Sequence, residues 1–219
     1  TFGFQIKKIH EVTVINCSLK SSMFNIAYGV PSSDNFAESL HEIKLEFKGQ
    51  PFAWWIPPSA HRPKFTDFLL NHGFVSETIE HAMICNLSTI SSFSSKTNLA
   101  PIQVENHSSL SDFVGLLEFY DPAARPFYEK VTKECFNLNE KLFVGYVDGK
   151  VATIGILFIR ESSAAIFSLI TKVEMRAKGY GADMMLYLMK IAREHGCRSV
   201  TLSASSEAGY RIYERLGFD

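Results

Sequence analysis

Two sets of periodic apolar positions lie along the chain, separated by one aperiodic stretch. In the first set, residues 2–6, residues 11–17 and Phe24 to Val30 are apolar or β-branched enough for strands, the last ended by Pro31. Ser33 or Asp34 is placed to cap a helix with Phe36, Leu40, Ile43 and Phe47 on one face, stopped by Gly49. Pro51 to Ile56 (PFAWWI) reads as a strand closed by Pro57-Pro58, and its Trp54-Trp55 pair as core packing. Pro63 opens a helix through Phe65, Phe68 and Leu69 to Gly73. Glu77 to Leu87 reads as a strand with Ile79, His81, Met83 and Cys85 on one face. Residues 88–98 (STISSFSSKTN) lose the periodicity, so a linker and a boundary near residue 95 are expected there.

The second set is more regular. Ile102 to Val104 is a short strand, and Ser108 or Ser109 begins a helix through Leu110, Phe113, Val114 and Leu117. Residues 118–128 (EFYDPAARPFY) hold two prolines and predict a loop with short helical turns, followed by a helix over Glu129 to Cys135. Leu142 to Val147 and Val151 to Ile159 are strands joined by Asp148-Gly149, a hairpin turn signal. Ala164 to Thr171 is a third apolar strand. A charged turn follows, with Arg176, Lys178, Gly179 and Gly181, then an amphipathic helix with Met184 or Met185, Leu188 and Ile191 on one face. Ser199 to Ala204 comes after that helix, so it is expected to lie parallel to the strand at 164–171. A last helix over Glu207 to Leu216 stops at Gly217.

The turn at 176–182 carries the chemistry. A strand leads into a helix start with two glycines, and the first turn of a helix has unbonded N–H groups and a partial positive charge. Glycine lets the backbone approach a ligand closely, so the turn is an anion cradle suited to phosphate. A dinucleotide fingerprint fits poorly, because Met184 stands where Gly or Ala is needed and no acidic residue follows at the required distance.

The spacing Arg176-x-x-Gly179-x-Gly181, after an apolar strand and opening a helix, resembles the acyl-CoA pyrophosphate loop of the GNAT superfamily of acetyltransferases. Thr171-x-x-Glu174-x-Arg176 is similar to the approach to that loop, and Tyr213 to Phe218 (YERLGF) is similar to the family's second signature. The resemblance covers residues 101–219 and departs from the pattern at Val173 (commonly Pro), Ala177 (Gly) and Ser206 (Asn). It implies an α/β (α+β) fold with a mixed, mostly antiparallel twisted sheet flanked by helices. A GNAT core ends with one more strand after Gly-Phe, so the chain is expected to be a fragment lacking it, with a sheet edge open to a homodimer. Phe68 to Phe74 (FLLNHGF) echoes Ile212 to Phe218 (IYERLGF), which resembles tandem GNAT proteins with a degenerate first half. Residues 1–95 would then be structural or substrate-shaping, and residues 96–219 catalytic.

The resemblance also implies the ligand and its contacts. Acetyl-CoA as co-substrate would lie along Leu169, Ile170 and Thr171. Its pyrophosphate would be held by N–H groups from Lys178, Gly179, Tyr180, Gly181 and Ala182, with charge from Arg176 and Lys178, and Ser206 would make a further contact. Tyr213 matches the family's general acid, or else is a buried aromatic. An amine would attack directly in a ternary complex. Glu118, Asp121 or water remain open as the base. A non-catalytic acyl-CoA-binding module is the alternative, and an empty cradle beside a protein partner is the third reading.

Composition adds exclusions. The 219 residues are 46% hydrophobic and 21% charged, with a formal net charge of −1, so no basic stripe argues for nucleic acid. No apolar run reaches the roughly eighteen residues of a membrane span. Four dispersed cysteines without C-x-x-C fit reduced thiols and a cytoplasmic location. The histidines show no metal-ligand spacing, and neither a G-x-S-x-G elbow nor a Walker A loop occurs, so no metal is expected.

Overall fold

The computed structural model describes residues 4–32, 34–77, 80–129, the backbone of 130–135, and 140–219. The strand start expected at residues 2–3, the candidate cap Ser33, Ile79 and the side chain of Cys135 lie outside the described residues. The chain forms two compact units, Thr1–Glu77 and Thr78–Asp219.

The first unit is a four-stranded sheet in the order β1 (Gln5–Ile9), β2 (Val12–Asn16), β3 (Ile26–Tyr28) and β4 (Ala53–Trp55). The first two pairings are antiparallel; β3 and β4 are parallel. Helix α1 (Phe36–Phe47) makes the crossover and packs Ile43 and Phe47 on Val12, Val14 and Ala27. Its cap is Asn35, whose side chain accepts from the Glu38 N–H. Helix α2 (Pro63–Asn71) adds Phe65 and Leu69 to a second cluster around Val30 and Trp54. The tryptophan pair splits. Trp54 is packed among Phe52, Phe65 and Phe74 and donates to the Gly29 carbonyl at 2.8 Å, whereas Trp55 points out, 48% exposed. Strand alternation forces this, since adjacent residues face opposite sides.

The second unit holds a six-stranded sheet in the order β5-β10-β9-β8-β7-β6, comprising β5 (His81–Asn86), β6 (Ala100–Gln103), β7 (Glu140–Val147), β8 (Lys150–Arg160), β9 (Ser163–Thr171) and β10 (Ser199–Ala204). All pairings are antiparallel except β9–β10, so the mixed, mostly antiparallel sheet flanked by helices is as expected. β5 pairs along its whole length with β10, which puts it in the second unit. The division therefore falls earlier than the expected boundary near residue 95. Asp148 and Gly149 both have positive φ, the hairpin geometry their sequence requires.

Helix α5 (Tyr180–Glu194) lies on one face of this sheet, where Met184, Met185, Leu188 and Met189 pack with Phe143, Leu157, Ala164 and Ile166. Helix α3 (His107–Leu117) covers part of the other face and is tied to it by Tyr146, which donates to Asp112 at 2.6 Å. Burial and that bond push the Tyr146 phenol up to about 12. Helix α4 (Ala124–Cys135) begins earlier than the expected Glu129. Pro126 falls in its first turn, where a missing N–H costs nothing. Helix α6 (Glu207–Arg215) packs on β10 and closes the chain.

The two units share a strand sequence. β1-β2-β3-α1-β4-α2 repeats the topology of β7-β8-β9-α5-β10-α6: two antiparallel pairings, then a parallel pair across a helix. Each ends in Gly-Phe, at Gly73-Phe74 and Gly217-Phe218.

Buried Asn25 organises the first unit. Its side chain accepts from the Cys17 N–H at 3.0 Å and donates to the carbonyls of Leu19 at 2.7 Å and Pro51 at 2.9 Å. Asn25→Ala strands three backbone groups, so we expect a loss of about 3 kcal/mol in the urea unfolding of that unit. A loss below about 0.5 kcal/mol would show that water replaces the amide.

Candidate functional site

The site begins as a fork in the sheet. β9 and β10 pair only at Ser163–Ser199, Ala164–Val200 and Ala165–Thr201, and then separate. From Ile166 to Thr171 the edge of β9 toward β10 has no strand partner among the described residues. A bulge lies in this stretch, where the β8–β9 register shifts between Ile154 and Ile156 and Ser168 takes positive φ. Leu169, Ile170 and Thr171 are half-buried along the fork.

The charged turn stands at the open end. Ala177 (φ 59°) and Gly179 (φ 90°) are both left-handed. Gly179 is the N-cap of α5 and no side chain caps the helix. The first-turn N–H groups, among them those of Tyr180, Gly181 and Ala182, therefore face outward with a helix dipole behind them. At Gly181 the backbone comes close to β9: a Cβ there would lie 2.9 Å from the Thr171 hydroxyl oxygen and would displace that side chain. At Ala177 the family pattern has glycine, and this chain carries the strain of an alanine there.

Arg176 links strand, turn and loop. Its Nε donates to the Thr171 carbonyl at 3.1 Å and one terminal nitrogen donates to the Tyr120 hydroxyl at 2.6 Å. Lys178 Nζ donates to the Glu174 carbonyl at 3.1 Å. The structure thus brings Leu169, Ile170, Thr171, Arg176 and Lys178 to Ala182 together at one end of the fork. Ser206 and Tyr213 sit apart from these, on the β10 side. Ser206 caps α6 by accepting from the Gly209 N–H at 3.1 Å. The Tyr213 ring is half-buried, 6.0 Å from that of Phe218, and burial pushes its phenol above the ordinary value, so it is protonated at neutral pH.

The two carboxylates considered as bases are engaged elsewhere. Glu118 pairs with Arg125 at 2.8 Å, and Asp121 accepts from the Ala123 N–H at 2.7 Å, ahead of α4. Among the described residues, no group of three His, Cys, Asp or Glu side chains is placed to hold a metal ion, and no helix is long and apolar enough to cross a membrane.

One part of the site escaped the sequence. Asp183, 5% exposed in the first turn of α5, accepts from Ser95 Oγ (2.6 Å), Thr97 Oγ1 (2.6 Å), and the N–H groups of Lys96 (3.0 Å) and Thr97 (2.8 Å). The supposed linker is a strap. At the other end of α5, Arg193 donates to the Ile90 carbonyl and stacks 4.2 Å from the centre of the Phe93 ring. Thr97 comes within 3.1 Å of where a Gly179 Cβ would stand, so the strap buttresses the cradle. An acid in a helix's first turn was the only available signal, and its partners lie 86 to 88 residues away.

The mixed sheet of the second unit thus forks beside an uncapped, glycine-started helix. Residues 110–218 match the acetyltransferase (GNAT) family, and the second unit belongs to that superfamily. No curated protein matches the sequence significantly. Among solved structures, a functionally unknown conserved protein from Staphylococcus epidermidis is similar over 100% of this chain and 91% of its own, at 13% identity and a TM-score of 0.74. A GCN5-related N-acetyltransferase from Kribbella flavida is similar over 99% and 85%, at 16% identity and 0.73. A glucosamine N-acetyltransferase region of a fungal multi-domain β-N-acetylglucosaminidase is similar over 99% of this chain and 30% of that one, at 13% identity and 0.63.

Burial raises the Asp183 carboxyl's pKa, but the bonds from Ser95, Thr97 and the two N–H groups outweigh it and hold the group below its ordinary value. Its stabilisation is therefore present above the ordinary Asp pKa, and is lost as pH falls through that value toward the lowered one. Asp183→Asn should cost about 2 kcal/mol at pH 7 and flatten stability below about pH 4. An unchanged acid unfolding curve in the variant would remove Asp183 from that role.

Proposed function

We propose that the second unit is an N-acetyltransferase that moves an acetyl group from acetyl-CoA to an amine within a ternary complex. The observation that carries this reading is the uncapped start of α5 set beside the unpaired edge of β9. A phosphate group satisfies the first, and an extended amide-bearing arm satisfies the second. In this reading, N–H groups from Lys178 to Ala182 hold the pyrophosphate, with Arg176 and Lys178 adding charge. Backbone groups at Leu169, Ile170 and Thr171 pair with the pantetheine arm and polarise the thioester carbonyl. Tyr213 donates a proton to the leaving thiolate, and Ser206 adds a contact from the start of α6. Acetyl-CoA supplies an activated acyl group, so the protein's own part is positioning and proton transfer.

The first unit takes the structural or substrate-shaping role. Its equivalent helix, α1, is capped by its own Asn35 side chain, which leaves less for an anion to satisfy.

Thermal unfolding tests the ligand. Acetyl-CoA at about a hundred times its Kd should add roughly 2.7 kcal/mol of stability, seen as a rise of a few degrees in Tm. Adenine dinucleotides should not do so, and Gly179→Val should abolish the acetyl-CoA effect. No shift with the wild-type protein would reduce the cradle to a plain helix start. Tyr213→Phe should then lower kcat by about a hundredfold while leaving acetyl-CoA affinity unchanged. Full kcat in that variant would clear Tyr213 of the acid role. Acetyl-CoA binding with no turnover of any amine would favour a non-catalytic module.

A further inference from the structure

Resting on the acetyl-CoA reading, the site needs its two halves held at a fixed separation, because one ligand spans both the cradle and the open edge of β9. A buried polar residue links them. Thr153, in β8, is 0% exposed, so it can act only through its neighbours. Its hydroxyl donates to the Ile170 carbonyl at 2.8 Å and lies farther, at 3.5 Å, from the Ile154 carbonyl. The Thr171 hydroxyl donates to the Thr153 oxygen at a longer 3.4 Å. That same Thr171 oxygen is the atom that the Gly181 backbone approaches, and the Thr171 carbonyl accepts from Arg176 Nε at 3.1 Å. A chain of contacts therefore runs from the first turn of α5 through Thr171 to Thr153, and back into β9 at Ile170.

Threonine suits this place because its two branches meet different strands. Its methyl lies toward β7, 2.9 Å from where a Gly145 Cβ would stand, and so occupies the room that glycine leaves. The hydroxyl is thereby turned to β9, and a β-branched side chain holds such a rotamer firmly. The rung it secures is the one beside the bulge. Ile154 pairs with Ile170, but the next pair is Ile156 with Phe167, so Ser168 and Leu169 stand opposite Gly155 alone. Ile170 is the first residue of β9 to regain register past that irregularity. The Lys172 N–H donates to the Ala152 carbonyl at 2.9 Å, so alternation turns the Ile170 carbonyl toward β8 and the Thr171 N–H toward the fork.

We propose that Thr153 is a positioning residue for the acyl-CoA arm: it holds Ile170 and Thr171 so that the β9 edge and the start of α5 accept the two ends of one molecule together. The pyrophosphate end depends on the helix start, which Asp183 and the strap hold in place. The arm depends on the direction of the Thr171 N–H, which Thr153 sets through the Ile170 carbonyl and the Thr171 hydroxyl. Loss of the Thr153 hydroxyl therefore uncouples the two ends. The cradle keeps its affinity for the anion, and the arm meets an edge that must be ordered at the moment of binding.

The test measures Kd on the full chain for acetyl-CoA and for adenosine 3′-phosphate 5′-diphosphate, which carries the pyrophosphate without the arm, with Tm followed in parallel. Wild type should bind acetyl-CoA the more tightly. Thr153→Val keeps the shape and removes the hydroxyl; it should weaken acetyl-CoA about tenfold and leave the diphosphate within about twofold. Thr153→Ala should repeat that split, so the result does not rest on the folding of one variant. Thr153→Ser retains the hydroxyl and should recover acetyl-CoA affinity to within about threefold of wild type. Loss of packing alone lowers Tm but does not separate the two ligands. Acetyl-CoA affinity within about twofold of wild type in both Thr153→Val and Thr153→Ala overturns the proposal. So does an equal loss for both ligands, or a Thr153→Ser protein as weak as Thr153→Val. A wild type that binds the diphosphate as tightly as acetyl-CoA, or binds acetyl-CoA and not the diphosphate, overturns it as well. A wild type that binds neither sinks the acetyl-CoA reading, and this one with it.

Discussion

The separation of β9 from β10 is the constraint on which the rest of the second unit depends. Two parallel strands that share three rungs and then diverge leave a row of backbone donors and acceptors on β9 without a strand partner. Such groups are satisfied by water or by a ligand that runs as a strand would. Among the described residues no strand fills the gap, although β9, β10, α5 and α6 all pack into one core cluster. Ile166 and Leu169 of β9 pack with α5, and α6 packs on β10. The bulge at Ser168 then turns the β9 edge further from regular pairing.

Holding the cradle at the fork's mouth requires more than glycine. The turn contains two left-handed residues, one of them alanine, and a helix start that lacks a cap of its own. Both features are locally unfavourable and persist because something else fixes the geometry. Asp183 is that element. It faces the strap rather than the open N–H groups, and its four partners anchor residues 95–97 against Gly179. A buried acid in the first turn also gains from the helix dipole, so it stabilises the turn without occupying the anion position. Arg176 adds the outer restraint through Thr171 and Tyr120.

Contiguity decided how much of this was legible in the sequence. Thr171 to Ala182 is one stretch, its chemistry is local, and its strand–turn–helix form follows from apolar runs and glycine spacing. The hairpin at Asp148-Gly149 and the parallel placement of Ser199 to Ala204 were legible for the same reason. Contacts across long separations were not. Residues 88–98 looked like a linker because their apolar anchors, Ile90 and Phe93, lack a period, and their hydrogen bonds end on a helix far along the chain. Pairing of β5 with β10 moved the unit boundary, and no local pattern announces a partner strand. Pro126 suggested a broken segment, whereas the first turn of a helix accepts it.

The contrast between the two units turns on one position. α1 and α5 are equivalent crossover helices after parallel-sheet strands, and each begins with unbonded N–H groups. α1 answers that need internally: Asn35 accepts from the Glu38 N–H, and its own amide donates to the Glu38 carboxylate at 2.6 Å. A carboxylate at that spot repels an incoming phosphate as well. α5 answers it with glycine, which satisfies nothing and blocks nothing. A self-capped helix is more stable alone, and an uncapped one is stabilised by what it binds. With the same topology in both units, the choice of cap residue satisfies the helix start in one and leaves its N–H groups open in the other.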